Sequence, residues 1–200
     1  SALEARDAFG SSLAMNSSGD MLVVGASGDD GNSNAGTDTG ALYLFSFSDT
    51  SFSGGSLDGT IGAGYSTLSV SLDDGDDFGS GVALNSDGTR MLVGASGDDG
   101  FNNGVSGSGA VYMMSFSNSA YGSPSIEGTI GSGYSGADDL DISALEANDA
   151  FGASVATSAN NMRAVVGATG DDSADTSGSY DFGAVYLLSF ENESYKTPTH

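Results

Sequence analysis

The feature that most constrains this chain is that it repeats. Three segments align by residue type: LEARDAFGSSLAMNSSGDMLVVGASGDDG, SLDDGDDFGSGVALNSDGTRMLVGASGDDG and LEANDAFGASVATSANNMRAVVGATGDD. Each is followed, after a polar loop, by GALYLFSF, GAVYMMSF or GAVYLLSF. Phe9 to Phe78, Gly25 to Gly94, Tyr43 to Tyr112 and Tyr65 to Tyr134 are all 69 residues apart. Phe78 to Phe151 is 73 and Tyr112 to Tyr186 is 74, so the extra residues fall near Gly136-Ala137-Asp138-Asp139 and in the acidic loop of the third copy. Insertions confined to loops are the mark of a repeated supersecondary unit. The chain reads as one continuous repeat domain with units at residues 1–69, 70–142 and 143–200.

Within a unit the apolar period is two, not 3.6. Ala41 to Phe47 is apolar, β-prone and without helix caps, as are Ala110 to Phe116 and Ala184 to Phe190. Met21 to Val24 is a short apolar run of the buried-strand kind, repeated at Met91 to Val93 and Ala164 to Val166. Strands before these are predicted at Ser11 to Met15, Ser80 to Leu84 and Ala153 to Thr157, joined to them through Ser-Gly, Asp-Gly or Asn-Asn turns. A fourth, weaker strand is predicted at Ser56 to Ile61 and Ser125 to Ile130; the last unit lacks it and ends in a polar tail. The predicted fold is all-β: three four-stranded antiparallel propeller-like blades, in an open array or as part of a larger β-propeller.

Charge and composition narrow the function. Four Lys/Arg against 27 Asp/Glu give a net charge of -23, which argues against nucleic-acid binding and against docking on anionic lipid. No run of about 18 apolar residues exists, so no membrane insertion is expected. With no Cys, disulfide frameworks, thiolate nucleophiles and Cys-type zinc sites are excluded. The chain opens inside a repeat motif without Met or leader pattern, and is read as a mature or excised fragment.

At Asp7-Ala8-Phe9-Gly10 through Val24-Gly25-Ala26 and Gly40-Ala41-Leu42-Tyr43, the residues resemble FG-GAP repeats, the blades of integrin-α-like β-propellers. The signature recurs at Phe78-Gly79, Gly94-Ala95 and Gly109 to Tyr112, and at Phe151-Gly152, Gly167-Ala168 and Gly183 to Tyr186. The resemblance implies a blade and an extracellular or cell-surface setting. The family's DxDxDG calcium loop between the first two strands is replaced by Asn16 to Asp20, Asn85 to Thr89 and Ser158 to Met162, so the chain resembles the variant lacking that loop. Propellers close with four to eight blades, and three are present.

The candidate metal ligands are the acidic loops: Asp29 and Asp30, Asp98 and Asp99, Asp171 and Asp172. Adjacent carboxylates on a Gly-rich loop suit Ca²⁺; equally, Asp and Gly simply build turns. Asp7, Asp76 and Asp149 either join these sites or, as the preferred reading, cap a turn. Phe9, Phe78 and Phe151 are expected in the core, and Tyr65 and Tyr134 between units. The third copy diverges most over Asp171 to Phe182, adding Asp175, Tyr180 and Asp181. The one His is His200, around which no nucleophilic triad assembles, and no other cofactor is called for. Asn16 and Asn192 open N-glycosylation sequons, for which chance is the leading explanation in so Ser-rich a chain.

These readings lead to a non-enzymatic extracellular structural or adhesive protein. It is expected to self-associate through β-strand pairing of blades, or to join neighbouring repeats, as a segment of a surface fibre. The alternative is a fragment of a β-propeller that binds a protein or glycan with calcium; a propeller hydrolase is weaker, because no copy diverges enough to form one distinct active site.

Overall fold

The computed structural model describes residues 3–172 and 181–200. Unit 1 is the sheet β1 (Phe9–Met15), β2 (Met21–Ala26), β3 (Ala41–Ser46), β4 (Ser56–Gly62) and β5 (Leu68–Ser69) in chain order. Unit 2 repeats it with β6 (Phe78–Leu84), β7 (Arg90–Ala95), β8 (Ala110–Ser115), β9 (Ser125–Gly131) and β10 (Leu140–Asp141). Unit 3 has β11 (Phe151–Thr157), β12 (Arg163–Ala168) and β13 (Ala184–Ser189). The all-β prediction holds, and the four antiparallel strands are found in units 1 and 2, while unit 3 forms three among the described residues. The two-residue strands β5 and β10, parallel to β4 and β9, are additions that no alternation in the sequence announces.

The first strand of each unit starts two residues before its predicted start, at the Phe of Phe-Gly. The ladder shifts register just after it, between Phe9 and Leu13, Phe78 and Gly81, and Phe151 and Ser154. The glycine there sits at φ +94, +91 and +95°, a region that residues with a Cβ enter only with strain, so the bulge favours Gly.

The polar tail does not simply trail off. Ser189 and Thr199 form an antiparallel bridge with reciprocal backbone hydrogen bonds of 2.8 Å, in register with the Ser46–Ser56 and Ser115–Ser125 pairs. The tail thus re-enters where β4 and β9 begin.

The core lies between units. Met21, Val23, Leu42, Leu44 and Ile61 of unit 1 bury against Phe78, Val82, Val93 and Tyr112 of unit 2. Leu92, Val111, Met113 and Ile130, on the opposite face of unit 2, bury against Phe151, Val166 and Leu188 of unit 3. Alternation along each strand supplies both faces, so a middle unit is apolar on both sides. The units pack in series, 1 on 2 and 2 on 3, and among the described residues no ring closes.

Phe9 is the exception to the predicted core. It stacks edge-on against Tyr43 at 5.4 Å, as Phe78 does on Tyr112 and Phe151 on Tyr186, yet it stays exposed. Its counterparts are covered by the preceding unit; among the described residues none packs over Phe9 in that way.

Candidate functional site: the acidic loops

Each acidic loop follows the second strand of its unit and returns to the third. In unit 1, Asp29 is buried and accepts from three donors. The Tyr43 hydroxyl donates to Oδ2 at 2.7 Å, the Tyr65 hydroxyl to Oδ1 at 2.8 Å, and the Gly31 N–H to Oδ1 at 2.8 Å. Unit 2 repeats this: Asp98 accepts from Tyr112 at 2.9 Å, from Tyr134 at 3.1 Å and from Gly100 N–H at 2.8 Å. In unit 3, buried Asp171 accepts from Tyr186 at 2.6 Å. A carboxylate taken out of water needs such donors, and two tyrosines plus an amide supply them.

In units 1 and 2 the second aspartate of the pair closes its loop. Asp30 Oδ1 accepts from the Asp38 N–H at 2.8 Å, and Asp99 Oδ1 from the Gly107 N–H at 2.7 Å. Asp172 is half-buried beside Asp171.

Asp7, Asp76 and Asp149 cap turns, each accepting the N–H three residues earlier, from Glu4, Asp73 and Glu146 at 2.6, 2.8 and 2.8 Å. Their carbonyls also accept from Gly28, Gly97 and Gly170 of the acidic loops. Asp76 additionally lines one cleft with Asp73, Asp98, Asp99, Phe101 and Tyr134.

The electrostatics follow from this crowding. Burial pushes the Asp76 carboxyl up to about 7, the Asp73 N–H opposes, and the charges of Asp98, Asp73 and Asp99 add to the rise. Burial also raises Asp98, against the Gly100 N–H and the two tyrosine hydroxyls. Burial, then the Asp98 charge, holds the Tyr112 and Tyr134 hydroxyls well above the usual tyrosine range. These tyrosines are proton donors that keep their protons.

Tyr65 and Tyr134 were expected to pack between units. Their hydroxyls instead reach back to the aspartate of their own unit, 36 residues earlier. The signal was in the sequence: Asp, Tyr and Tyr recur at identical spacing in units 1 and 2. Among the described residues no group of three or more His, Asp or Glu comes together at metal-holding distance. Asp175 and Tyr180 lie outside the described residues; Asp181 is exposed.

In units 1 and 2 the hairpin between the first two strands is closed by an amide; in unit 3 the Ser158 hydroxyl takes that place, accepting from the Arg163 N–H at 3.1 Å. Asn16 Oδ1 accepts from Gly19 and Met21 N–H at 3.1 Å, while its Nδ2 donates to Ser18 Oγ at 2.9 Å and Asp20 Oδ1 at 2.8 Å. Asn85 likewise accepts from Arg90 N–H at 3.0 Å and donates to Asp87 Oδ1 at 2.7 Å. In both turns the NH₂ group draws side-chain oxygens of the loop together. Buried and fully engaged, Asn16 is poorly placed as a glycan acceptor; Asn192 is exposed.

Sequence comparison fits this thrice-built geometry. A family model described as the FG-GAP repeat matches residues 2–45, 72–114 and 143–188. The chain belongs to the FG-GAP repeat family. Each match takes in the Phe-Gly bulge, the acidic loop and the Tyr-bearing third strand. No curated protein matches the chain. A further repeated feature, not read from the sequence, is an aromatic pair at the turn after the third strand of each unit, just beyond the matched residues. Phe47–Phe52, Phe116–Tyr121 and Phe190–Tyr195 meet edge-on at 5.1, 5.2 and 5.0 Å. Phe52, Tyr121 and Tyr195 all take positive φ there, at 60, 56 and 60°. No helix in the described residues is long and apolar enough to cross a membrane.

Proposed function

We propose that this FG-GAP chain is a non-enzymatic, extracellular structural and adhesive protein, one segment of a rigid surface array. The observation that carries the reading is the position of the core. It lies at the junctions, so units add length without altering the unit. The candidate side chains support it too. Asp29, Asp98 and Asp171 each serve a tyrosine of their own unit in the same way, whereas catalysis needs one distinct constellation. FG-GAP repeats are typical of extracellular proteins, and a net charge of -23 keeps such a surface hydrated.

Electron microscopy of the purified chain tests this. Regular filaments whose rise matches one chain are expected; isolated monomers, with and without a calcium chelator, overturn the fibre reading.

One observation favours a second reading, a ligand-binding surface. Phe101 is exposed at the rim of the acidic cleft, edge-on to Tyr134 at 5.9 Å and beside Asn103 and Asp73. An aromatic face next to carboxylate and amide groups suits a sugar. Binding on a glycan array that Phe101→Ala abolishes supports it; an array blank with and without calcium overturns it.

A further inference from the structure

The two ends of the described array carry the two halves of the junction that the array repeats inside itself. Every unit has a leading face, built around the first strand and the hairpin aromatic, and a trailing face on the opposite side of its strands. On the leading side, Phe78 and Phe151 are 0% exposed but Phe9 is 44%; Val82 is 7% but Leu13 is 64%; Tyr121 and Tyr195 are 5% and 0% but Phe52 is 57%. On the trailing side, Leu44 and Met113 are 0% but Leu187 is 70%; Leu42 and Val111 are 0% but Val185 is 65%; Val23 and Leu92 are 0% but Val165 is 41%. Each exposed residue holds the repeat register of residues that the inner junctions bury.

The backbone is prepared in the same way. At both inner junctions a glycine of the second strand faces the Phe-Gly glycine of the next unit: a Cβ on Gly25 would overlap the Gly79 carbonyl, and one on Gly94 the Gly152 carbonyl. Gly167 holds that register in unit 3, and a Cβ there would meet only Ser154 of its own unit. Gly10 holds the complementary register in unit 1, with nothing within 4 Å of a Cβ. Ser12 Oγ donates to the Gly79 carbonyl across the first junction at 2.7 Å, and Ser154 stands in register with Ser12.

We propose that the trailing face of unit 3 binds the leading face of unit 1 of a second copy of this chain, head to tail, reproducing the inner junctions. The proposal rests on the reading of the chain as a stacking array but names a different contact: sheet face on sheet face, not strand edge on strand edge. The argument for a second copy is continuity with two junctions already present. Leading and trailing faces differ, so the contact is heterologous and extends to a filament or closes to a ring. Single-sided pairing, leading on leading, has no counterpart in the fold.

Sedimentation velocity over a wide concentration range tests it with three proteins. The wild type is expected to grow in steps of 19.8 kDa. Leu13→Asp spoils only the leading face and Leu187→Asp only the trailing face; each is expected to be monomeric alone, with association weakened about 100-fold or more. Mixed one to one, they are expected to form a dimer that grows no further, since each retains the face the other lacks. That dimer also shows that both variants fold. A variant that still self-associates alone, or a mixture that stays monomeric beside an associating wild type, overturns the face contact. Filaments that survive both substitutions in one chain overturn it while leaving the array reading standing; a wild type monomeric at every concentration overturns both.

Discussion

Gly94 of β7 lies against the carbonyl of Gly152 in β11 so closely that even a methyl group on Gly94 has no room. The obstacle is backbone of another unit, which cannot rotate away as a side chain can. Gly94→Ala is therefore expected to cost about 3 kcal/mol or more by wedging units 2 and 3 apart. Gly10→Ala, in open space but at φ +94°, carries only backbone strain, about 1–2 kcal/mol. Urea unfolding of the two variants checks the order; equal losses would mean the junction is looser than described.

The Asp98 staple gives a second prediction. Asp98→Ala removes the acceptor for two tyrosine hydroxyls and the Gly100 N–H at once, leaving buried donors unmet. A loss of about 2–4 kcal/mol is expected. Tyr134→Phe removes one of three donors and is expected to cost about 1 kcal/mol. A double-mutant cycle measures the coupling; additive losses would show that the tyrosine and the aspartate act independently.

Much of this fold was legible because period-two runs and turn residues recur in phase three times. Sequence placed β1 to β4 and their copies within two residues. It missed β5 and β10 because two residues carry no alternation. It placed Phe9 in the core by analogy with Phe78, but the burial of this residue is set by a neighbouring unit, which no local pattern encodes. The acidic loops were recognised, yet their partners were not. Asp29 reads as a solvent-facing ligand until Tyr43 and Tyr65, far along the chain, are seen to close over it. The turn-capping roles of Asp7, Asp76 and Asp149 were read correctly because Asp in a Gly-rich turn acts locally.

Stability is expected to fall as pH rises from about 4 to about 7. Asp76 holds its proton up to about 7 in the folded chain, against an ordinary value of 3.8. A carboxyl raised on folding stabilises the fold below its unfolded value and loses that contribution as pH passes its folded value. Asp98, Asp77 and Asp149 shift in the same direction, each chiefly through burial. Asp87 and Glu127 are lowered, chiefly by hydrogen bonds from Thr89 and Ser115, and withdraw their support only on the acid side. The melting temperature is thus expected to be highest at about pH 4, where the lowered carboxyls are still charged and Asp76 still holds its proton. Asp76→Asn should flatten the decline toward neutrality; an unchanged slope would show that Asp76 does not set it.

The hairpin amides make a prediction about calcium. Asn85 donates to Asp87 at 2.7 Å and to Thr89 at 3.4 Å, tying the turn with a neutral group. Asn85→Asp replaces that donor with a carboxylate facing Asp87, so attraction becomes repulsion and the turn loses about 1–2 kcal/mol. The same change gathers two carboxylates and a hydroxyl in one tight loop, a set of hard oxygens that a divalent cation can bridge. Millimolar calcium is expected to restore much of the lost melting temperature in the variant and to leave the wild type unmoved. Thermal melts of both proteins, with calcium and with chelator, decide it: a wild type that chelator destabilises would place a cation where the Asn85 amide now stands.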